Sequence, residues 1–555
     1  MAETALRAAR ERRAYQRWIR KHGSITQADR RELTARIAEF GHKPLISVIL
    51  PVFNTDEVLL RKCVGSVVNQ IYDNWELCIA DDASTEPYIR PLLAELTADR
   101  RIKVVLRKSN GHISAASNSA LEMATGEFCV LLDHDDEFSE DALFRVANEL
   151  TENPDTAMIY SDEDLIDEDG RRSSPKFKPG FSRDLLLGIN LVTHLSAYRT
   201  SLLKEIGGFR IGFEGSQDYD LALRVVERLK DEQIRHIPKI LYHWRVTAGS
   251  LAHDLESKPY AHETARRAIR EYLERTGKKA QVVETGYLHR VRYSLPEPLP
   301  RVSLILSGHR EARAGEWARI VRDRTDYQNL EIIEVGDRAV MAGGKGEAKF
   351  VGSTLNWTSR LNAAAADSAG GLLCFLDSGI RPLSSDWLRE LVSFAIQPEI
   401  GVVGPRLLHR NNTIAGTGLL IGVGGIVAAA HDGFLRNSPG NMSRNRLISN
   451  ISAVSPSCMI MRREIFDSVG GFDEECLSEA LYGADLCLRV REQGFRVTVT
   501  PFAELKFQLG QTGDYFVGRE RDGDRFLKRW KTYVDNDPFL NPNLSKVSPD
   551  FSIKV

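Results

Sequence analysis

One stretch, Gly126 to Phe138 (GEFCVLLDHDDEF), constrains this chain more than any other. It begins as an uninterrupted apolar run, Phe128 to Leu132, which predicts a buried strand in a mostly parallel sheet. It then breaks into Asp133, His134, Asp135 and Asp136. Carboxylates this close repel one another and are costly to keep dry. A cation is therefore expected among them, and a divalent ion bridging to phosphate oxygens is the natural candidate. A solvated acidic turn is the other reading, but such turns rarely follow a continuous apolar strand at the edge where α/β proteins bind ligands.

The flanking sequence supplies a sheet for this strand. Leu45 to Val52 (LISVILPV) reads as a strand ending at Phe53-Asn54, and Glu76 to Ala80 as a second ending at Asp81-Asp82. A third runs from Ile102 to Leu106, and helical patterns separate them. Alternating strands and helices predict a doubly wound α/β sheet whose ligands sit beyond the carboxyl ends of the strands. Asn54, Asp82 and Asp135 all fall at such ends. Further on, a Gly-rich loop enters a helix at about Asp218, and Ile237 to Trp244 is a strand ending in His243-Trp244-Arg245.

The pattern then restarts after LPEPLP (Leu295 to Pro300): Val302 to Leu306 repeats the first strand and Leu372 to Asp377 the central one. GGFDEECLSEALYGADLCLRV repeats the Gly-rich loop and helix, so the chain is an internal duplication. Its 555 residues suit two large domains. The division expected is 1–43 as a basic helical segment, 44–250 as a first α/β domain, 251–300 as a helical linker, 301–515 as a second domain and 516–555 as a tail. The first segment reads either as an appendage packed on the next domain or as a membrane-surface helix.

Composition excludes several classes. A net charge of -2 gives no reason to expect nucleic acid, and the seven cysteines form no C-x-x-C pair, which suits reduced thiols in a cytosolic protein. The N-terminus lacks the apolar core of a signal peptide. The longest apolar stretch, Leu419 to Ala430, falls short of the roughly 20 residues a membrane helix needs. The expectation is a cytoplasmic chain, at most peripheral to the inner membrane.

ISVILPVFN, DDAST, LDHDDE, GFEGSQDYDLALR and LYHWR, in this order, resemble the family 2 glycosyltransferases of GT-A fold. The nearest resemblance is to bacterial enzymes of O-antigen, capsule or rhamnan assembly that carry two such domains. YSDEDLID, FKPGF and GHISAASNSAL are also similar to that subgroup. The resemblance covers nearly the whole chain and implies two tandem GT-A domains. It implies a nucleotide-sugar donor, a glycan acceptor carried on lipid at the cytoplasmic face, and Mn²⁺ or Mg²⁺ as cofactor. By resemblance Asp135, or Asp136 one residue on, is the metal ligand, with His243 completing the shell. Asp133 is directed toward the ribose and Asp82 toward the base, in a pocket lined by Asn54, Val52 and Pro51. Asp218 is the general base, and Glu214, Gln217, His194 and Trp244 are acceptor-side candidates. The family usually has Glu where this chain has Gln217.

Each role has a structural rival. Asp81 or Asp82 could cap the next turn. Asp218 could cap its helix through Arg224. His243 could be a structural histidine.

The second copy lacks the chemistry: aligning the copies sets Asp218 opposite Gly483, Asp133 opposite Asp377, Asp135 opposite Gly379 and His243 near Phe507. Asp81 and Asp82 fall near Gly336 and Asp337. A non-catalytic second domain is expected. Two other functions compete for the whole chain. One is a nucleotidyltransferase, against which PVFNTDE stands where a Gly-rich, Arg-containing loop is needed. The other is a glycan-binding or assembly scaffold with both domains silent.

Overall fold

The computed structural model describes residues 2–246, 259–307, 316–335, 340–342, 356–475, 479–508 and 521–555. The first sheet comprises β1 (Ile46–Val52), β2 (Trp75–Asp81), β3 (Ile102–Leu106), β4 (Phe128–Leu131), β5 (Glu137–Phe138), β6 (Met158–Ile166), β7 (Arg172–Lys176), β8 (Ser196–Arg199) and β9 (Ile234–Arg245). Their order is β3-β2-β1-β4-β8-β6-β9-β5, with β7 on β6. Strands β1 to β4 are parallel and are joined by the helices Glu57–Val68, Ile89–Leu96 and His112–Met123. All of β1 and β2 is buried, as their Ile, Val and Leu runs require when helices cover both faces. β8 is antiparallel to β4 and β6. The plan changes there, and the ends of β1, β2 and β4 open onto one crevice.

The second sheet repeats this plan. Its path is Val340–Ala342, Leu330–Val335, Val302–Ser307, Leu372–Asp377, Cys458–Arg462, Ile400–Leu408, Arg496–Phe507 and Ile380–Pro382. Only the outermost strand differs, being antiparallel where β3 is parallel. Side-chain clamps are duplicated too. Ser47 donates to Glu76 at 2.7 Å and accepts from the Gly126 amide at 2.9 Å, as Ser303 does between Glu331 and Gly370. Asn118 bonds both backbone groups of Phe209, and Asn362 those of Phe472. The preceding Gly208 and Gly471 have φ of 66° and 67°, a conformation that a side chain would strain.

The N-terminal residues form helices Ala2–His22 and Gln27–Ala38. Tyr15 and Trp18 are buried against Phe177 and Tyr15 donates to Asp164, so the segment packs on the first domain. Arg10, Arg12, Arg13, Arg17 and Arg20 stay exposed. No helix among the described residues is long and apolar enough to cross a membrane.

The helical linker expected at 251–300 is only partly helical. Pro259–Arg275 is a helix, but Ala280–Thr285 and Leu288–Tyr293 form a hairpin. Gly286 turns it with a φ of 73°, and Val291 and Tyr293 are buried on alternate positions, the period of a strand. The start of that segment, 251–258, lies outside the described residues. The C-terminal residues return to the first domain, where Asn541 donates to both oxygens of buried Asp162 at 3.1 and 2.8 Å. Buried Asp184 of the first domain accepts from Asn450 at 2.6 Å and Thr498 at 2.8 Å of the second.

Candidate active site

The crevice floor is made by the ends of β1 and β2. Pro51 and Val52 are buried in register with Ala80 and Asp81. Asn54, with a φ of 46°, accepts from the Thr85 amide at 2.8 Å and donates to Thr85 Oγ1 at 3.1 Å. Its side chain thus ties the two strand ends together. Asp81 accepts from the Ser84 amide at 3.2 Å, which is the turn-capping role. Asp82 is buried and accepts from Arg107 Nε at 2.7 Å and the Gly111 amide at 2.9 Å. It fixes the loop that closes the crevice ahead of the helix His112–Met123.

At the end of β4 the acidic residues divide. Asp136 is 1% exposed, and its oxygens accept from Tyr242 at 2.6 Å and the Arg245 amide at 2.7 Å. Burial first, then Asp135 and Asp133, push its carboxyl well above the ordinary aspartate value. Asp136 is therefore committed to the end of β9, and the expectation that it serves as a metal ligand is corrected. Asp133 and Asp135 remain turned to the crevice. Recession into the cleft raises the Asp133 carboxyl, Asp135 and Asp218 add to this, and His194 opposes it; the 45% of its side chain open to solvent limits the effect. His134 Nδ1 is buried without a hydrogen-bond partner, 3.9 Å from Asp135 Oδ1.

His243 is also corrected as a metal ligand. Successive side chains of a strand face opposite ways, and on β9 it is Tyr242 and Trp244 that face the crevice, Tyr242 through Asp136 and both through His194. His243 points away, its Nδ1 2.6 Å from Asp164 Oδ1. Asp164 also accepts from Arg172 at 2.6 Å, so His243 belongs to the contact with the first helix.

His194, expected on the acceptor side, stands instead beside the acidic turn. Its Nδ1 lies 3.0 Å from Glu163 Oε2 and its Nε2 3.8 Å from Asp133 Oδ2. The ring stacks on Tyr242 at 4.6 Å and 17° and leans on Trp244 at 5.4 Å. Trp244 carries Lys176 over its ring at 4.7 Å. Burial alone would raise Glu163, but Lys176, Lys178 and His194 outweigh it and hold the carboxyl well below its usual value. Burial brings Lys178 to about 8; it donates to the carbonyls of Thr193 and His194 at 2.7 and 2.8 Å. Sequence reasoning gave Glu163 no role, although YSDEDLID was part of the resemblance. Its signal was the length of β6, which carries Asp162, Glu163 and Asp164 inward with 0–1% exposure.

Asp218 lies in the first turn of the helix Gln217–Val226. Its Oδ2 accepts from Asn190 Nδ2 and Thr193 Oγ1, both at 2.8 Å, while Oδ1 has no partner among the described residues. Arg224 bonds Asp220 instead, at 2.9 Å, so Asp218 does not cap through that arginine. Gln217 accepts from the Gly215 amide at 2.9 Å and Glu214 from the Gly212 amide at 3.1 Å. Both shape the loop before Asp218. Burial would raise Glu214, but backbone amides, Ser114 and His112 hold its carboxyl low.

The crowding of Asp133, Asp135 and Asp218, with an orphaned His134 nitrogen beside them, fits a cation. Among the described residues no three His, Cys, Asp or Glu side chains already converge on one point. The set suits an ion held by one or two carboxylates and completed by phosphate oxygens.

Among the described residues, little of this recurs in the second domain. Strand pairing matches Phe128 to Leu372 and Arg199 to Arg462, which sets Thr193 opposite Pro456 and His194 opposite Ser457. It matches Glu163 to Leu407, Tyr242 to Leu505 and His243 to Lys506, not to Phe507. Asp377 is present and accepts from Ser307 at 2.7 Å. Gly379 takes a φ of 90°. Gly336 and Asp337 lie outside the described residues.

The family model of glycosyl transferase family 2 matches residues 47–207. An uncharacterized protein of Sinorhizobium fredii is 39% identical over 97% of this chain and 62% of its own length. The O-antigen biosynthesis protein RfbC of Myxococcus xanthus is 32% identical over 93% of this chain and 42% of its own length. A chondroitin synthase of Escherichia coli is 30% identical over 37% of this chain and 29% of its own length. This chain thus spans less than two thirds of each relative's length. The matched segment contains β1 to β4, the acidic turn and His194, so it is the first domain of this chain that is similar to glycosyl transferase family 2.

Proposed function

We propose that the first domain is an inverting glycosyltransferase that moves a sugar from a nucleotide-diphosphate donor to a hydroxyl of a bacterial surface-glycan precursor, with Mn²⁺ or Mg²⁺ in the cleft. The observation that carries this reading is Asp218. Two neutral donors, Asn190 and Thr193, hold one of its oxygens without neutralising the carboxylate, and the other oxygen is left for an acceptor hydroxyl. A general base needs that fixed orientation with one free edge. Thr193, which holds Asp218, adjoins His194, whose Nε2 stands 3.8 Å from Asp133, and this supports a base and a donor site in one crevice. A nucleoside diphosphate leaves without a proton, and the ion, when bound, offsets the charge that builds on it. Asp135 would hold the ion, and Asp133 would reach the ion through Oδ2 and the ribose through its other oxygen. Asp82, Asn54, Pro51 and Val52 shape the base pocket. A single base opposite the leaving group inverts the anomeric carbon.

Relatives named for O-antigen biosynthesis and chondroitin synthesis support a polysaccharide product. The acceptor is taken to be lipid-linked, at the cytoplasmic face of the inner membrane, with the exposed arginines of the first helix toward that surface. The second domain is non-catalytic and positions the glycan or mediates assembly.

The test is binding and slow hydrolysis of UDP-, GDP- and dTDP-sugars with and without Mn²⁺, comparing wild type with Asp135→Ala and Asp218→Asn. One donor should bind with the ion, lose binding in Asp135→Ala, and bind without turnover in Asp218→Asn. If no donor binds under any condition, the first domain is a glycan-binding scaffold.

A further inference from the structure

The strand parity of β9 removes His243 from the crevice, and a different histidine stands beside the acidic turn. His194 has the arrangement of a metal-binding imidazole. Such a ring donates its far N–H to a carboxylate, which fixes the tautomer and leaves the other nitrogen as a lone pair. Here Glu163, kept ionised by Lys176 at 2.6 Å and Lys178 at 3.7 Å, can only accept, so Nδ1 carries the proton. The His194 backbone N–H donates to the same carboxylate oxygen. Tyr242 covers one ring face and Trp244 leans on the ring. The Nε2 edge is left toward Asp133. The 3.8 Å from Nε2 to Asp133 Oδ2 is too long for a hydrogen bond. It is short enough for one ion about 2.1 Å from each atom to touch both.

We propose that His194 Nε2, oriented by Glu163, is the nitrogen ligand of the divalent ion held by the Asp133–Asp135 turn. This rests on the metal-dependent reading above. The second domain argues against a purely structural histidine. It keeps the Ser303–Glu331 and Asn362–Phe472 clamps, yet Glu163, His194 and Tyr242 become Leu407, Ser457 and Leu505. The unit was lost together with Asp135 and Asp218, while the fold remained.

The experiment titrates Mn²⁺ into the full chain with UDP, GDP and dTDP in turn, and reads affinity together with nitrogen modulation in pulsed electron paramagnetic resonance. Wild type should show a histidine nitrogen on Mn²⁺. His194→Gln should lose that signal and at least tenfold in affinity. Glu163→Gln should keep some signal and lose roughly 10- to 100-fold in affinity, which guards against misfolding of the first variant. His243→Gln should match wild type. A nitrogen signal that survives His194→Gln, or is absent from wild type that binds Mn²⁺, overturns the assignment alone. Failure of wild type to bind Mn²⁺ with any nucleotide overturns the metal-dependent reading and this assignment with it.

Discussion

The two domains share a strand order, a Ser–Glu clamp and an Asn-held glycine turn, yet at the positions of Asp135, Asp218 and His194 the second domain has Gly379, Gly483 and Ser457. The difference shows which residues serve the fold and which serve a site. Asp220 and Asp485 occur at matching places and bond arginines four residues on, Arg224 at 2.9 Å and Arg489 at 2.7 Å. That carboxylate orients an arginine of its own helix, which in turn bonds the carbonyls of the preceding turn, Ile206 and Gly208 in the first domain and Val469 in the second. Asp218, two residues earlier, has no counterpart. At Gly483 a Cβ would stand 2.8 Å from Pro456, the residue that replaces Thr193. The partner that would hold a base and the space for one have both gone. At Gly379 the backbone φ of 90° disfavours any side chain. With both positions packed this way, single substitutions should not install the first domain's carboxylates in the second.

The sharpest test of this contrast sets the candidate base of the first domain against the carboxylate kept at the central strand of the second. Asp218→Asn should lower transfer by roughly 10²- to 10⁴-fold, whereas Asp377→Asn in the second domain should leave the turnover rate and donor affinity at wild-type levels. A comparable loss from Asp377→Asn would make the second domain a participant. Next in size are the shared carboxylates. Asp220→Asn and Asp485→Asn should each destabilise by about 3 kcal/mol, because each strands a partly buried arginine; thermal or denaturant unfolding checks this, and an effect in one domain alone would break the structural equivalence. Gly483→Asp should cost about 1–3 kcal/mol through its clash with Pro456 and add no donor hydrolysis. A gain of hydrolysis would show that the second crevice is still formed.

The smallest effect is acid sensitivity. Burial pushes Glu76 up, but Lys103, the Thr125 amide and Ser47 outweigh it and hold the carboxyl at about 2, below its ordinary 4.5. Ser303, the Ala369 amide and Arg301 likewise outweigh burial and hold Glu331 low. A carboxyl depressed in the folded state adds stability above its unfolded pKa and loses it as pH falls toward the folded one. For Glu76 that window runs from about pH 4.5 down to about 2. Glu76→Gln should flatten the loss of melting temperature over that range, and Glu331→Gln should flatten it below the ordinary glutamate value.

Much of the fold was legible because buried parallel strands are apolar runs, and runs such as LISVILPV and GEFCVLL leave no other assignment. The hairpin at 280–293 was not legible, since its strands are only six residues each and mix polar with apolar side chains. Among site residues, Asp133, Asp135 and Asp218 could be read from their positions at strand and helix ends, where ligands meet α/β sheets.

The sequence by itself determined the duplication, the order of elements, the acidic turn after the central strand and the absence of a counterpart to Asp135 from the second copy. All are written in local composition and spacing. Only the tertiary structure decided which acidic and imidazole groups face the crevice. β9 enters with Tyr242 and Trp244 inward, which turns His243 toward Asp164. The same strand occupies both oxygens of Asp136. β6 carries Glu163 inside, and the segment before β8 brings His194 to it from 31 residues away. Those outcomes depend on register and side-chain parity between strands distant in sequence, and a shift of one residue would reverse each of them.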